Sequence, residues 1–357
     1  WSDGTNTYTG ASIVVSPTIT TTYSVTGTTT LGCMNTAEVT VTVYPSPNIS
    51  ATATPAEICL GESSELSVSG ADTYSWDTGD NTDIITVTPD ETTTYVVTGT
   101  DANGCENTAE ITVIVNPLPT VTASASPSTI CNGESSDLIV SSDIPGTTFS
   151  WSNGLGTNPN VTVNPTATTT YSVTGTTPEG CTGTAEVTVT VNPLPELTAT
   201  ANPSEICLGA SSELSVSGAD TYSWDTGDNT ASITVTPSST TTYTVTGTDA
   251  NGCENTAEIT VIVNPLPTVT ASASPSTICN GETSILTASG ADTYSWDTGD
   301  NTASITVTPS STTTYTVTGT DANGCENTAS VSISVNPLPD VQATATPNAI
   351  CIGDSTI

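Results

Sequence analysis

The sequence contains no lysine, no arginine and no histidine among its 357 residues, yet it carries 36 acidic residues and a formal net charge of −36. Proteins bind nucleic acid mainly through basic side chains that neutralise phosphates, so a nucleic-acid partner is excluded. Anionic membrane surfaces are excluded for the same reason. No run of 18 apolar residues occurs, and no basic amino-terminal stretch precedes an apolar segment. We therefore expect neither membrane insertion nor a signal peptide within this segment.

The missing basic residues also remove most catalytic chemistry. Histidine general bases, lysine Schiff bases and basic clamps for oxyanions or phosphates have no residues to form them. Paired carboxylates remain, and two carboxylates can hydrolyse glycosides. Each pair recurs at the same turn of successive repeats without a pocket-forming insertion, which is typical of a solvated turn. We predict no catalytic residue and no enzyme activity for these pairs: Asp77 with Asp80, Asp225 with Asp228, and Asp297 with Asp300.

The composition predicts a folded, secreted chain. High acidity and few aromatic residues are typical of disorder, but disordered chains lack the β-branched residues that dominate here. Ten cysteines at regular spacing in small units indicate disulfides formed in an oxidising compartment. We expect an extracellular or cell-surface location.

Internal repeats are the strongest signal in the sequence. The segment ADTYSWDTGDNT occurs at residues 71–82, 219–230 and 291–302. Two sets of cysteines recur with the same steps of 72, 76, 72 and 72 residues, which defines a repeat of about 72 residues. The first set is Cys59, Cys131, Cys207, Cys279 and Cys351, and the second set is Cys33, Cys105, Cys181, Cys253 and Cys325.

Proline-rich joints mark the boundaries between the repeats. Asn-Pro-Leu-Pro begins at residues 116, 192, 264 and 336, and two prolines one residue apart favour a short extended, semi-rigid spacer. The predicted domains are a partial repeat at 1–44, repeats at 45–117, 118–193, 194–265 and 266–337, and a partial repeat at 338–357. The repeat at 118–193 has a 4-residue insertion near its central tryptophan, where we expect a loop to absorb it.

Apolar and polar residues alternate between the joints, as in strands with one buried face. Turn-forming clusters separate these runs, and about seven short strands per repeat are typical of a small sandwich. We predict an all-β fold of tandem Ig-like or PKD-like β-sandwich repeats of about 72 residues forming an elongated rod. In the repeat at 266–337 we expect a core of Trp296, Tyr294 and Tyr315, and strands near 268–274, 284–289, 293–297, 303–308, 312–320 and 326–335.

Four segments resemble a known group of proteins. They are Ile-Cys-Asn-Gly-Glu-Thr-Ser at 278–284, Tyr-Ser-Trp-Asp-Thr-Gly-Asp at 294–300, the threonine-rich run at 309–319, and Asp-Ala-Asn-Gly-Cys at 321–325. As a set, they resemble the Ig-like and PKD-like repeats of giant secreted surface proteins of Bacteroidota, of the gliding-adhesin and type IX secretion type. The resemblance covers the whole chain and implies a modular stalk or adhesive shaft on the cell surface.

The cysteine spacing leaves the disulfide pairing open. Pairing within repeats would give Cys59–Cys105, Cys131–Cys181, Cys207–Cys253 and Cys279–Cys325. In an Ig-type topology, however, the first cysteine would lie in the loop between the first two strands and the second in the last turn. These positions are at opposite ends of a sandwich, too far apart for a disulfide. Linkage of neighbouring repeats would instead give Cys59–Cys181, Cys131–Cys253 and Cys207–Cys325. A third pairing, Cys105 with Cys131 across a joint, also fits the spacing and is the least expected, because the intervening strands run the same way.

The turn before each second-set cysteine is a candidate calcium site. Oxygen ligands at alternating positions with a glycine turn are typical of a Ca²⁺ loop. The same residues also form ordinary hairpin turns, and residues 28–33 and 176–181 lack the ligand set. Diffuse binding of divalent cations to the acidic surface is the alternative, and we predict no other cofactor. The candidate ligands are Asp101, Asn103, Glu106, Asp249, Asn251, Glu254, Asp321, Asn323 and Glu326.

These features predict a structural segment of an extracellular fibre or stalk, whose partners are neighbouring repeats or copies of itself. The alternatives are an adhesin module that binds surface glycans or matrix, and a spacer for an enzyme located elsewhere in the chain. The two partial repeats together nearly complete one more repeat. We expect either a window of a longer repetitive polypeptide, as in a filament, or docking of residues 339–357 of one subunit onto residues 1–44 of the next.

Overall fold

A computed structural model describes residues 1–346, 348–353 and 355. None of these residues is helical, so the described part contains no helix that could span a membrane. The chain divides into two compact units, Trp1–Val191 and Asn192–Ile357. The strands that begin in the first unit are β1 (Thr21–Thr28), β2 (Met34–Val41), β3 (Ser50–Thr54), β4 (Glu57–Cys59), β5 (Ser64–Ser69), β6 (Thr73–Trp76), β7 (Ile84–Val87), β8 (Thr93–Thr100), β9 (Glu106–Asn116), β10 (Val121–Ser126), β11 (Thr129–Cys131), β12 (Ser136–Ser142), β13 (Thr148–Trp151), β14 (Asn160–Val163), β15 (Thr169–Thr176) and β16 (Thr182–Asn192).

The second unit repeats the same sequence of strands twice. They are β17 (Thr198–Asn202), β18 (Glu205–Cys207), β19 (Ser212–Ser217), β20 (Thr221–Trp224), β21 (Ser232–Val235), β22 (Thr241–Thr248), β23 (Glu254–Asn264), β24 (Thr270–Ser274), β25 (Thr277–Cys279), β26 (Ser284–Ser289), β27 (Thr293–Trp296), β28 (Ser304–Val307), β29 (Thr313–Thr320) and β30 (Glu326–Asn336).

Seven strands form each complete repeat as two sheets. In the first one, β3, β5 and β7 form an antiparallel sheet, and the second sheet has the order β4-β9-β8-β6. Strand β4 pairs with β9 in parallel, whereas the other neighbours in that sheet are antiparallel. The same two sheets recur in the next three repeats. This arrangement confirms the predicted all-β fold of tandem Ig-like sandwiches.

Each sandwich encloses its own apolar core. Along β8, Tyr95 and Val97 point inward and Val97 is fully buried, while Thr94, Val96 and Thr98 alternate with them on the outer face. Trp76 is 3% exposed and its indole Nε1–H donates to the Thr82 carbonyl oxygen at 3.0 Å. On the outer face, Thr94 and Thr112 pair hydroxyl to hydroxyl at 2.8 Å across β8 and β9. Threonine therefore supports the strand and satisfies its own hydroxyl there.

The predicted strands of the fourth complete repeat agree with β24 and with β26 to β30 to within two residues at each end. Trp296 and Tyr315 are buried, and Tyr294 packs partly buried against the same core. The prediction missed the short strand β25. The first-set cysteine Cys279 is therefore the last residue of a strand and does not lie in a loop, because Ile278 beside it is drawn into the core at 3% exposure.

The two terminal segments carry less secondary structure. Strands β1 and β2 form a two-stranded antiparallel sheet in residues 1–44. Within 338–357, the described residues include no strand. The predicted domain boundaries stay a prediction, although each of the four apolar clusters falls between two of them.

Candidate functional site

The joints between repeats bring the cysteines together, beginning with the first set. Cys59 ends β4 and lies in register with Asn116, the last residue of the parallel strand β9. The backbone N–H of Leu60 donates to the Asn116 carbonyl oxygen at 2.9 Å, which extends this pairing by one bond. Parallel pairing with the last strand therefore fixes the first-set cysteine at the carboxyl-terminal end of its own repeat, where the chain leaves. Cys207 and Cys279 lie in the same register with Asn264 and Asn336.

The second-set cysteine lies at the opposite, amino-terminal end of a repeat. Cys181 is in the turn between β15 and β16, where its backbone N–H donates to Thr177 Oγ1 at 3.2 Å. Its Sγ atom is 3.9 Å from the carbonyl oxygen of Asn116 in the preceding repeat. The end of β9 is thus the point at which Cys59 of one repeat and Cys181 of the next come together.

Two disulfides link successive repeats. Cys59 bonds to Cys181, and Cys207 bonds to Cys325, each with a Cα–Cα distance of 5.5 Å. The second-set members of these bonds are buried, Cys181 at 1% exposure and Cys325 at 0%. Of the pairings that fit the spacing, the structure adopts the linkage between neighbouring repeats for these cysteines. Cys131 and Cys253 are disulfide-bonded as well.

Four of the ten cysteines predicted to form disulfides are free thiols in this structure, namely Cys33, Cys105, Cys279 and Cys351. Both disulfides join a first-set cysteine to the second-set cysteine of the next repeat. For each of the four free cysteines, the sequence contains no cysteine at the position that the same pairing would require for its partner. Cys105 Sγ lies 3.9 Å from the Tyr44 carbonyl oxygen, at the position that Cys181 occupies beside Asn116.

At three of the joints, an asparagine side chain binds the joint to the repeat that follows it. Asn255 Nδ2 donates to the carbonyl oxygen of Pro195, the second proline of Pro-Leu-Pro, at 3.0 Å. Asn107 and Asn327 make the same bond to Pro47 and Pro267 at 2.9 and 3.0 Å. These bonds fix the direction in which the chain enters the next sandwich. Sequence reasoning missed them, although the asparagine recurs at a fixed place two residues after the second-set cysteine.

A glycine allows the backbone that follows Pro-Leu-Pro to pack closely against its own repeat. Gly218 has φ +111, and a Cβ atom there would collide with the Glu196 carbonyl oxygen. Neither the backbone conformation nor the space allows another residue. The joint is therefore packed against its own repeat on both sides, by Asn255 and by Gly218.

The candidate calcium loops are closed by their own hydrogen bonds. Asp101 Oδ1 accepts from the backbone N–H of Asn103 at 2.8 Å and of Cys105 at 2.9 Å. The bond from Cys105 is the main cause of a lowered pKa at Asp101, and the bond from Cys253 lowers the pKa of Asp249 in the same way. Asp321 makes the same two bonds. These carboxylates therefore order the turn that presents the second-set cysteine.

No group of three or more acidic, histidine or cysteine side chains suited to hold a metal ion occurs in the described part of the chain. Glu106, Glu254 and Glu326 are exposed first residues of β9, β23 and β30. Calcium binding by the predicted loops stays a prediction.

The acidic pairs that resemble a hydrolytic dyad are also engaged in turns. Asp77 Oδ2 accepts from the backbone N–H of Val96 at 3.0 Å, and Asp80 Oδ2 accepts from Thr78 Oγ1 at 2.8 Å. Burial raises the pKa of Tyr95, and the charge of Asp77 raises it further. The geometry assigns these carboxylates to the turn between β6 and β7.

A buried serine in each repeat was not predicted. Ser212 is 1% exposed and its Oγ–H donates to the Pro203 carbonyl oxygen at 2.7 Å. This bond ties β19 to the segment between β17 and β18, which carries the chain from one sheet to the other. The sequence feature that could have predicted it is a serine at an inward-facing position in a run of alternating buried and exposed residues. The equivalent residues are Ser64, Ser136 and Ser284.

Comparison with protein-family models gives no match, and comparison with curated protein sequences gives none either. Among solved structures, a Ca²⁺-stabilized adhesin that helps an Antarctic bacterium reach out and bind ice is similar at 20% identity and a TM-score of 0.30. It covers 82% of this chain and 100% of its own. The ICAM-5 D1-D4 ectodomain fragment is similar at 13% identity and a TM-score of 0.35, and covers 81% of this chain and 100% of its own. We base no conclusion about function on similarity at this level.

Proposed function

We propose that the chain is a structural segment of an extracellular fibre or stalk, in which disulfides join each repeat to the next and make a stiff rod. The observation that carries the proposal is the pairing of Cys59 with Cys181 and of Cys207 with Cys325. A disulfide within a repeat would stabilise that repeat alone. A disulfide between repeats restrains the joint, which is where a chain of folded repeats bends.

The chemistry of the joint supports this role. At the joint between Cys207 and Cys325, Pro-Leu-Pro limits the backbone, Asn327 binds the Pro267 carbonyl oxygen, and the disulfide forms a second connection between the two repeats. Disulfides persist in oxidising surroundings, so the fibre belongs outside the cytoplasm. Its partners are neighbouring repeats and copies of the same chain, and cations screen the 36 unpaired acidic charges between them.

Small-angle X-ray scattering of the full chain, oxidised and reduced at the same salt concentration, tests the proposal. We expect a rod in the oxidised protein and a more flexible, still folded chain after reduction by a phosphine. Circular dichroism recorded on the same samples verifies that the sandwiches stay folded. Equal flexibility in the two samples, or a compact particle, would contradict the proposal.

Adhesion to a glycan is the second candidate, and one loop favours it. In the repeat with β13 and β14, the loop between these two strands is the segment 152–159, which is one residue longer than the standard segment 225–231 and differs from it in sequence; Asn153 in it has φ +57. Binding residues concentrate in loops that depart from a constant scaffold. A glycan array probed with the whole chain tests this, with a matched variant in which 152–159 is replaced by the standard segment 225–231. Binding by the first protein and not by the second would support adhesion, and no binding by either would reject it.

A further inference from the structure

The two disulfides create a covalent route along the chain that is much shorter than the backbone. This route, which we name the stapled path, runs from Cys59 across the first disulfide to Cys181, along the backbone to Cys207, and across the second disulfide to Cys325. It contains a backbone step of about 26 residues. The backbone between Cys59 and Cys325 has about 266 residues, so the stapled path omits residues 60–180 and 208–324.

Most residues in the backbone step of the stapled path lie in extended strands. Strands β16, β17 and β18 contribute 11, 5 and 3 of its residues. A strand rises about 3.3 Å per residue, and a fully stretched chain reaches at most about 3.6 Å per residue. These strand residues can therefore lengthen very little when the chain is pulled.

We propose that tension applied to the chain is carried by the stapled path, so that the folded sandwiches between the cysteines bear almost none of it. This inference rests on the proposed fibre function and specifies how the fibre resists force. Strands β5 to β8 and their equivalents lie outside the path, and their unfolding cannot lengthen the chain while both disulfides are intact. Reduction of a disulfide, which adds two electrons and two protons to give two thiols, opens the route through the sandwiches.

The change in reach is large. With both disulfides intact, Cys59 and Cys325 can separate by at most about 100 Å, whatever unfolds between them. With every disulfide of the chain reduced, the limit is about 950 Å. Loss of the Cys59–Cys181 bond alone returns at most about 400 Å of its 122-residue separation to the chain, because the disulfide of Cys131 still bridges part of that segment.

Single-molecule force spectroscopy on the full chain tests the inference. Handles are attached at the two termini by a peptide ligase, which leaves every cysteine untouched. The samples are the oxidised protein, the same molecule after a phosphine reductant is flowed in, and the variant Cys59→Ala/Cys181→Ala. The variant Cys105→Ala is the matched control, because it removes a thiol of the same region that is outside both bonds.

We expect the oxidised protein and the Cys105→Ala control to lack unfolding steps from the region between Cys59 and Cys325. Reduction should produce steps of about 20 nm or more for each complete repeat. The variant Cys59→Ala/Cys181→Ala should lengthen the oxidised chain by at most about 40 nm, because the disulfide of Cys131 stays intact in it. Equal step lengths before and after reduction would overturn the inference. That result, with scattering that still shows stiffening on oxidation, would reject the load path and leave the fibre function standing.

Discussion

Removal of one disulfide should reveal how strongly it couples two repeats. The variant Cys207→Ala/Cys325→Ala deletes the bond and leaves no buried hydroxyl or thiol where Cys325 is 0% exposed. The bond closes a loop with a sequence separation of 118 residues. In the chain-entropy model, a loop of that length stabilises the folded state by about 5 kcal/mol.

The stabilisation is shared by the two repeats that the bond joins, which together contain about 144 residues. For a folded unit of about that size, each kcal/mol corresponds to a shift in Tm of about 2–4 °C. We therefore expect the unfolding transition of these repeats to move down by about 10–20 °C. Repeats of the other unit should keep a transition close to that of the unchanged protein.

Differential scanning calorimetry of the full chain at fixed salt measures this shift. The control is Cys105→Ala, which removes a thiol that forms no disulfide in the structure. A shift below about 3 °C in the double variant would refute the reasoning, and so would an equal shift in the control. Reduction of the unchanged protein should lower the same transition at least as far.

Three further changes probe the joint and its turn. Asn255→Ala removes the bond to the Pro195 carbonyl oxygen; it should cost about 1 kcal/mol in urea unfolding and speed amide hydrogen exchange at 193–197. Ser212→Ala leaves the Pro203 carbonyl oxygen unpaired in a buried site; it should cost about 1–3 kcal/mol in the same assay. Asp249→Thr replaces a carboxylate whose folded pKa is lowered; the variant should be less stable than the unchanged protein at pH 7. The difference in stability between the two proteins should disappear as the pH falls below about 3.9, the pKa of an aspartate in the unfolded chain, and then below the lower pKa of Asp249 in the folded protein. The reason is that only the ionised carboxylate of Asp249 provides the stabilisation. Thermal unfolding recorded across this pH range measures it.

The chain contains natural counterparts for these variants. Gly183 stands where the other complete repeats have the asparagine, so the joint before it should exchange amide hydrogens as Asn255→Ala does. Thr177 stands at the aspartate position and accepts from Cys181 at 3.2 Å, which makes threonine a tolerated replacement. No loss of stability in Ser212→Ala, or a pH-independent loss in Asp249→Thr, would contradict the assigned hydrogen bonds.

The sequence was sufficient to predict most strands, because each has a run of alternating residues. In β29, Tyr315 and Val317 are inward and threonines are outward, and this pattern alone predicts a half-buried strand. The four strands β4, β11, β18 and β25 escaped prediction because three residues are too few to show a period. Their only signal is one isoleucine three residues after a proline, and its burial depends on pairing with a strand far along the chain, as Ile58 pairs with Val115.

The missed strand explains why the pairing of the cysteines could not be decided from spacing. Cys59 lies at the carboxyl-terminal end of its repeat only because β4 pairs in parallel with β9 and stops at Asn116. Spacing along the chain does not reveal the direction of such a pairing. The argument that the two cysteines of one repeat lie at opposite ends was sound, but it needed the topology before it could exclude Cys59–Cys105.

Peptide mapping under non-reducing conditions tests the central claim most directly. The full chain is digested by pepsin, which needs no basic residue, and the peptide that contains Cys207 is identified by mass spectrometry with its partner. Linkage of successive repeats predicts the peptide of Cys325. A peptide that joins Cys207 to Cys253 would show repeats closed on themselves, and the account of a stapled fibre would be wrong.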